Sequence, residues 1–143
     1  MSLAPWILVP SLVLTLPAAA TKRPFGIEDL YRLKGISGLS LSLDGSRLLF
    51  QVSTQELRKA KRSTQVWMLD VASGQARQLT FAEKSSTSPQ WSKDGKSILF
   101  LSAREGGNQL WTLDLAGGEA RRLTSFEPGL GTPRMLPGNQ VVF

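Results

Sequence analysis

One stretch of this chain occurs twice and begins a third time. Asp44-Gly45 and Phe50 recur 50 positions later as Asp94-Gly95 and Phe100. The six extra residues fall in one loop, 53–64 against 103–108. Further identities recur 44 positions apart: Trp67, Asp70, Gly74, Ala76, Arg77, Leu79 and Thr80 return as Trp111, Asp114, Gly118, Ala120, Arg121, Leu123 and Thr124. Identities in one register indicate a structural unit that is used repeatedly.

The second copy of the unit contains four short apolar segments separated by turns. The turns contain Asp94-Gly95, Gly106-Gly107 and Gly117-Gly118, and such pairs supply the positive φ that tight turns need. The segments predict strands over Pro89–Ser92, Ser97–Ser102, Gln109–Leu115 and Ala120–Thr124. Four strands in a period of about 40–45 residues are typical of a β-propeller blade.

The repeat therefore predicts an all-β fold, a partial β-propeller. We expect blade one over residues 38–80, blade two over 88–124 and the start of a third blade over 132–143. Propellers contain roughly four to eight blades. We therefore expect this chain of 143 residues to be the N-terminal part of a longer protein, truncated within its third blade.

The first 37 residues precede the repeat. Residues 1–20 contain an apolar run, Trp6–Leu16, which is too short to span a bilayer comfortably, and end in Ala18-Ala19-Ala20. This pattern predicts a secretory signal peptide cleaved after Ala20 and an exported protein, periplasmic or secreted; an uncleaved anchor and a buried strand are the alternatives. Residues 21–37 predict a linker and a short amphipathic helix, Ile27–Leu33.

Composition excludes several kinds of chemistry. The chain has no cysteine and no histidine, which rules out thiolate chemistry and a serine nucleophile activated by a histidine of this chain. Histidine and cysteine metal ligands are equally absent. We therefore predict no catalytic residue, no cofactor-binding residue and no metal ligand. Glu28 and Asp29 are adjacent, so they point to different helix faces and are expected to stabilise the helix N-terminus rather than form an acid pair.

The basic residues give a net charge of +6 but are scattered. Their densest cluster is Arg58-Lys59-Ala60-Lys61-Arg62, in the long loop of blade one. Because no aromatic residue is interleaved for base stacking, we interpret the charge as a solvated surface and predict no nucleic-acid partner. Beyond export, no membrane association is predicted.

The repeated aromatic and acidic residues favour structural roles. Trp67 and Trp111 occupy one register in two units, which predicts packing between blades rather than ligand stacking. Asp70 and Asp114 each precede a turn, where Asp commonly accepts bonds from backbone amides. Trp91 is expected to pack beside Pro89. In the first strand Leu39, Leu41 and Leu43 alternate with serines, which predicts a half-buried strand, and Leu48–Val52 predicts an inner strand buried on both faces.

The repeat resembles the propeller repeat of two groups of proteins, on the residues Ser88–Phe100, Gln109-Leu110-Trp111 and Gly117–Thr124. One group is the Tol-system periplasmic propeller proteins. The other is the N-terminal domain of prolyl-oligopeptidase-family serine peptidases, of the acylaminoacyl- and dipeptidyl-peptidase kind. Ile27–Ser37 resembles the short helix before blade one in those peptidases. Lys93 and Leu43 depart from the repeat, which usually has proline there.

The resemblance to the peptidases implies a function for the intact protein. A relative would have an α/β-hydrolase domain after the propeller, with Ser, Asp and His in that order, and the propeller would limit entry to short peptides. This chain would be non-catalytic by itself, and its partners would be the remaining blades and, through the catalytic domain, peptide substrates. The resemblance to the Tol group implies instead a periplasmic module that binds another protein.

Overall fold

The computed structural model describes residues 23–56, 59–127, 129–131, 134–136 and 140–142. It contains one short helix, α1 (Ile27–Arg32), followed by strands. Blade one comprises β1 (Gly35–Leu41), β2 (Arg47–Glu56), β3 (Lys61–Asp70) and β4 (Ala76–Gln78). Blade two comprises β5 (Ser86–Trp91), β6 (Ser97–Ser102), β7 (Gln109–Asp114) and β8 (Arg121–Arg122), and β9 (Arg134–Leu136) and β10 (Gln140–Val142) follow. The predicted signal peptide lies outside the described residues.

Each blade is a four-stranded antiparallel meander in chain order, and β9 and β10 form a separate two-stranded sheet. This confirms the all-β, partial-propeller fold that the repeat predicts. Several strand boundaries differ from the sequence prediction. β5 spans Ser86–Trp91 rather than Pro89–Ser92, and β7 ends at Asp114 rather than Leu115. β1 begins at Gly35 rather than near Gly38, because the strand continues through an irregularity at Gly38, whose φ is +61°. β8 is shorter than the predicted Ala120–Thr124, because Thr124 bonds to β7 through its side chain.

The turn between the first two strands, which we call the Ser-Asp turn, has the same two side-chain hydrogen bonds in both blades. In blade one, Ser42 Oγ donates to Asp44 Oδ1 at 2.6 Å and accepts from Arg47 N at 2.9 Å. In blade two, Ser92 Oγ makes the same bonds to Asp94 Oδ1 and Ser97 N, at 2.6 and 3.0 Å. The glycines that follow the aspartates have φ of +70° and +65°, which only residues without a β-carbon adopt freely.

A second repeated device closes the outer strand of each blade, and we call it the Gln-Thr clasp. In blade one, Thr80 Oγ1 accepts from Val66 N at 2.9 Å and donates to Gln65 Oε1 at 2.7 Å. In blade two, Thr124 and Gln109 repeat this arrangement with Leu110 N, both bonds being 2.9 Å. The pairing of the outer strand with β3 or β7 does not reach Val66 or Leu110. The threonine hydroxyl therefore accepts a hydrogen bond from the backbone N–H of that residue in place of a strand carbonyl.

The hydrophobic core lies between the two blades. Leu49, Val66 and Met68 of blade one pack against the buried residues of blade two, which are Ile98, Phe100 and Trp111. The inner strand β6 is buried on both faces, since Phe100 is fully buried on one face and Leu101 is 4% exposed on the other. In β2, Leu49 is fully buried on one face and Val52 is 8% exposed on the other, whereas Leu48 and Phe50 are only half-buried, so the predicted burial on both faces is partial.

The opposite face of blade one is not covered by another sheet among the described residues. Leu39, Leu41 and Leu43 are 67%, 58% and 99% exposed, so the prediction that they form the buried side of a half-buried strand is wrong here. Leu41 pairs with Leu48, on the face opposite to Ser40 and Leu49. The alternation holds, but the apolar side of β1 is directed away from blade two.

Candidate functional surface

The two repeated aspartates have the structural role that the sequence predicts. Asp70 Oδ1 accepts hydrogen bonds from the backbone N and the Oγ of Ser73, at 2.8 and 2.7 Å. These bonds lower the pKa of the Asp70 carboxyl from its ordinary value. Asp114 Oδ1 accepts from Ala116 N at 2.8 Å. Both carboxylates therefore hold turns and are engaged by the backbone rather than directed at a ligand.

Of the two repeated tryptophans, only Trp111 lies between the described blades. It is 3% exposed and belongs to the core between them, as predicted. Trp67, its equivalent, stacks on Phe50 on the face of blade one that is turned away from blade two, with ring centroids 6.4 Å apart, so the prediction of packing between blades is wrong for Trp67 among the described residues. Trp91 joins the two blades directly, because its Nε1 donates to Ser40 O at 2.9 Å and Arg47 lies 5.6 Å from its ring centroid.

At the N-terminal end of α1, Asp29 acts as predicted. Its Oδ2 accepts from Gly26 N at 2.8 Å and from Arg23 Nη1 at 2.7 Å. The Arg23 bond is the main cause of the lowered pKa of the Asp29 carboxyl. These contacts cap the helix and leave Asp29 neutralised by Arg23.

Lys59, Lys61 and Arg62 of the basic cluster lie at the end of the β2–β3 hairpin, which is longer than the equivalent β6–β7 hairpin of blade two; Arg58 lies outside the described residues. β2 and β3 are ten residues long, and their pairing continues to Glu56 and Lys61, whereas β6 and β7 have six residues each. Two of its lysines have carboxylate partners: Lys59 Nζ lies 3.1 Å from Glu56 and Lys61 Nζ lies 2.9 Å from Glu83. A cavity of about 330 Å³ separates Tyr31 of α1 from this hairpin.

A groove lies between the two blades, and we call it the Arg104 groove. Its volume is about 410 Å³. Blade one contributes Leu79 and Phe81, and blade two contributes Trp111, Leu113 and Ala120, with Arg104, Glu105 and Glu119 as its charged residues. Arg104 follows β6, at the end of blade two that corresponds to the basic hairpin of blade one, and Glu119 comes from the β7–β8 turn at the other end of the sheet.

Sequence reasoning did not single out Arg104 or the glutamines of the clasps. Gln65 and Gln109 stand 44 residues apart, so the repeat itself contained a signal for the clasp. Arg104 has no such signal, because its position relative to Trp111 depends on how the turn after β6 folds back over the sheet.

Within the described residues, no group of three or more acidic side chains is placed to hold a metal ion. Among the same residues, the only helix is too short and too polar to cross a bilayer.

Comparisons with known proteins agree on the repeat. The pattern of the TolB beta propeller domain matches residues 31–143. "Uncharacterized peptidase YuxL" of Bacillus subtilis is 30% identical over 85 residues, which are 59% of this chain and 13% of that protein. "Dipeptidyl-peptidase 5" of Porphyromonas endodontalis is 32% identical over 79 residues, which are 55% of this chain and 11% of that protein. The matched part thus spans about an eighth of these curated relatives.

Solved structures show the same fold. Putative TolB from Agrobacterium tumefaciens superposes with a TM-score of 0.54 at 27% identity and covers 65% of this chain and 31% of that one. An acylaminoacyl peptidase superposes with a TM-score of 0.59 at 16% identity, over 69% of this chain and 15% of that one. Both proteins therefore contain blades arranged like the two described here.

Proposed function

Because the chain belongs to the TolB beta propeller domain family, we propose that it supplies the first blades of the propeller of an exported serine peptidase. In this proposal the propeller limits which peptides reach a hydrolase domain, and this chain contributes no catalytic residue. The matches to two proteins named as peptidases, each at 30% identity or above, carry the proposal. The position of α1 directly before β1 supports it, since that order resembles the peptidase group.

Export is part of the same proposal. It depends on the apolar run Trp6–Leu16 and the small residues Ala18-Ala19-Ala20, which are typical of a secretory signal peptide. The N-terminal sequence of the mature protein would test it, and we expect that sequence to begin at Thr21.

The activity is tested on the protein from its native source. Exported proteins are labelled with a fluorophosphonate probe, which reacts with activated serine nucleophiles, and peptides from residues 25–143 are sought in the labelled bands. We expect them in a labelled protein of about 70 kDa, the size of a seven-bladed propeller with a hydrolase domain. A heat-denatured sample is the control, because it retains the protein but loses the activated serine.

The second candidate is a TolB-like module that binds another protein. The superposition on putative TolB at 27% identity favours it. In that case the peptides would appear only in an unlabelled protein of about 40 kDa, and the peptidase proposal would be abandoned.

A further inference from the structure

The repeat distinguishes residues that build a blade from residues that do not. The Ser-Asp turn and the Gln-Thr clasp occur in both blades at equivalent positions, so they belong to the architecture. Arg104 does not recur, because Thr54 stands 50 residues before it. A charged residue in a groove that the repeat does not require is a candidate for recognition.

Arg104 is held in place by aromatic rings and hydroxyl groups. Its guanidinium carbon lies 4.7 Å from the ring centroid of Trp111 and 5.3 Å from that of Phe100, within the range of cation–π attraction. Its Nε and Nη2 donate to Ser102 Oγ and Ser86 Oγ at 3.4 Å each, so both bonds are long. Partial burial lowers its pKa, but a guanidinium stays charged in proteins.

No carboxylate in the described part of the chain lies within 4.0 Å of the Arg104 guanidinium. Neighbouring Glu105 instead lies 3.8 Å from Arg122. A guanidinium carries five N–H donors in a planar fork that matches a carboxylate, and Arg104 uses two of them in long bonds. Its position over the rings therefore presents an oriented cation beside the groove.

The rest of the groove indicates what kind of anion fits. Leu79, Leu113 and Ala120 provide an apolar wall, and Phe81 is 77% exposed at its edge. A volume of about 410 Å³ accommodates a group of dipeptide size. Glu105 and Glu119 also line the groove, and Glu105 is partly offset by Arg122 at 3.8 Å. The two carboxylates repel an anion, and they repel a phosphate dianion more strongly than a single carboxylate, so binding depends on direct contact with the Arg104 guanidinium.

We infer that the Arg104 groove binds the C-terminal carboxylate of a peptide whose last side chain is apolar. The guanidinium would hold the carboxylate by parallel hydrogen bonds, and the apolar wall would receive the side chain. The groove contains no reacting group, so this is a binding site separate from the peptidase chemistry proposed above. Its test uses only this chain and does not depend on whether a hydrolase domain follows.

The experiment is a titration of the ¹⁵N-labelled full chain, observed by NMR at Arg104 Nε–H and Trp111 Nε1–H. The probe is N-acetyl-Leu-Phe with a free carboxylate, and its C-terminal amide is the matched ligand control. We expect saturable shifts of both resonances with the acid and at least about tenfold weaker binding of the amide, because hydrogen bonds to a charged group are worth about 1.5–3 kcal/mol.

Two variants distinguish recognition from a structural role. Arg104→Lys keeps the charge but loses the planar fork, and we expect about tenfold weaker binding. Lys93→Gln removes one positive charge at the opposite end of the sheets and should leave binding unchanged. If the acid and the amide shift the two resonances equally, if neither shifts them, or if inorganic phosphate binds as tightly as the acid, the assignment is wrong.

Discussion

The Gln-Thr clasp allows a quantitative test of how a blade is closed. Thr80 is 3% exposed, and its Oγ1 is the acceptor for the backbone N–H of Val66, a fully buried residue. Thr80→Val keeps the shape of the side chain and removes the hydroxyl. The Val66 N–H is then buried without an acceptor, which costs about 1–3 kcal/mol of unfolding free energy. Gln65 loses a donor as well, but it is partly exposed and water can replace it.

The measurement is urea unfolding of the full chain, followed by tryptophan fluorescence. For a loss of about 2 kcal/mol and an m-value of about 2 kcal/mol/M, we expect the midpoint to fall by roughly 1 M. Thr80→Ser keeps the hydroxyl and removes one methyl group, so it should cost only about 0.8 kcal/mol. Wild-type stability in Thr80→Val, or an equal loss in Thr80→Ser, would refute the reasoning, since either result would show that the hydroxyl is not what matters.

Three further predictions concern the turns and the contact between blades. Hydrogen bonds from Ser42 and Ser46 lower the pKa of Asp44 from 3.8 to about 2. The contribution of these bonds to the free energy of unfolding is fully present above pH 3.8 and is lost as the pH falls through about 2. Asp44→Asn should therefore make the urea midpoint less dependent on pH in this interval. Trp91→Phe keeps one aromatic ring but removes the five-membered ring with the N–H that bonds to Ser40 O, and we expect a loss of at least about 1 kcal/mol by the same assay, whereas an unchanged midpoint would mean that this contact adds nothing. Gly95→Ala meets no atom within 4 Å, so its expected cost of about 1–2 kcal/mol comes from φ of +65° alone; stability equal to wild type would contradict this explanation.

Much of the fold could be predicted because the strand order of a meander depends on neighbouring segments. Asp94-Gly95 and the apolar run Ser97–Ser102 are local signals for a turn and an inner strand, and both are present as predicted. The register of the repeat predicted Trp111 between blades, where it lies, but it predicted the same for Trp67, which lies on the face of blade one turned away from blade two.

Other features depended on contacts between segments that are distant in sequence. The alternation in β1 predicted one buried side, but periodicity does not indicate whether a second sheet covers that side, and Leu41 is exposed. The bond from Trp91 to Ser40 joins residues 51 positions apart, and no pattern in the sequence marks its acceptor.

The sequence by itself determined the unit: its strands, its Asp-Gly turns and the equivalence of the two blades, because these follow from local backbone preferences and from a repeated pattern. Only the tertiary structure decided which face of blade one meets blade two and where the side chain of Arg104 lies. Stacking two sheets selects one of two chemically similar apolar faces. The return of the chain after β6 then places a lone cation over Phe100 and Trp111 at the edge of that interface.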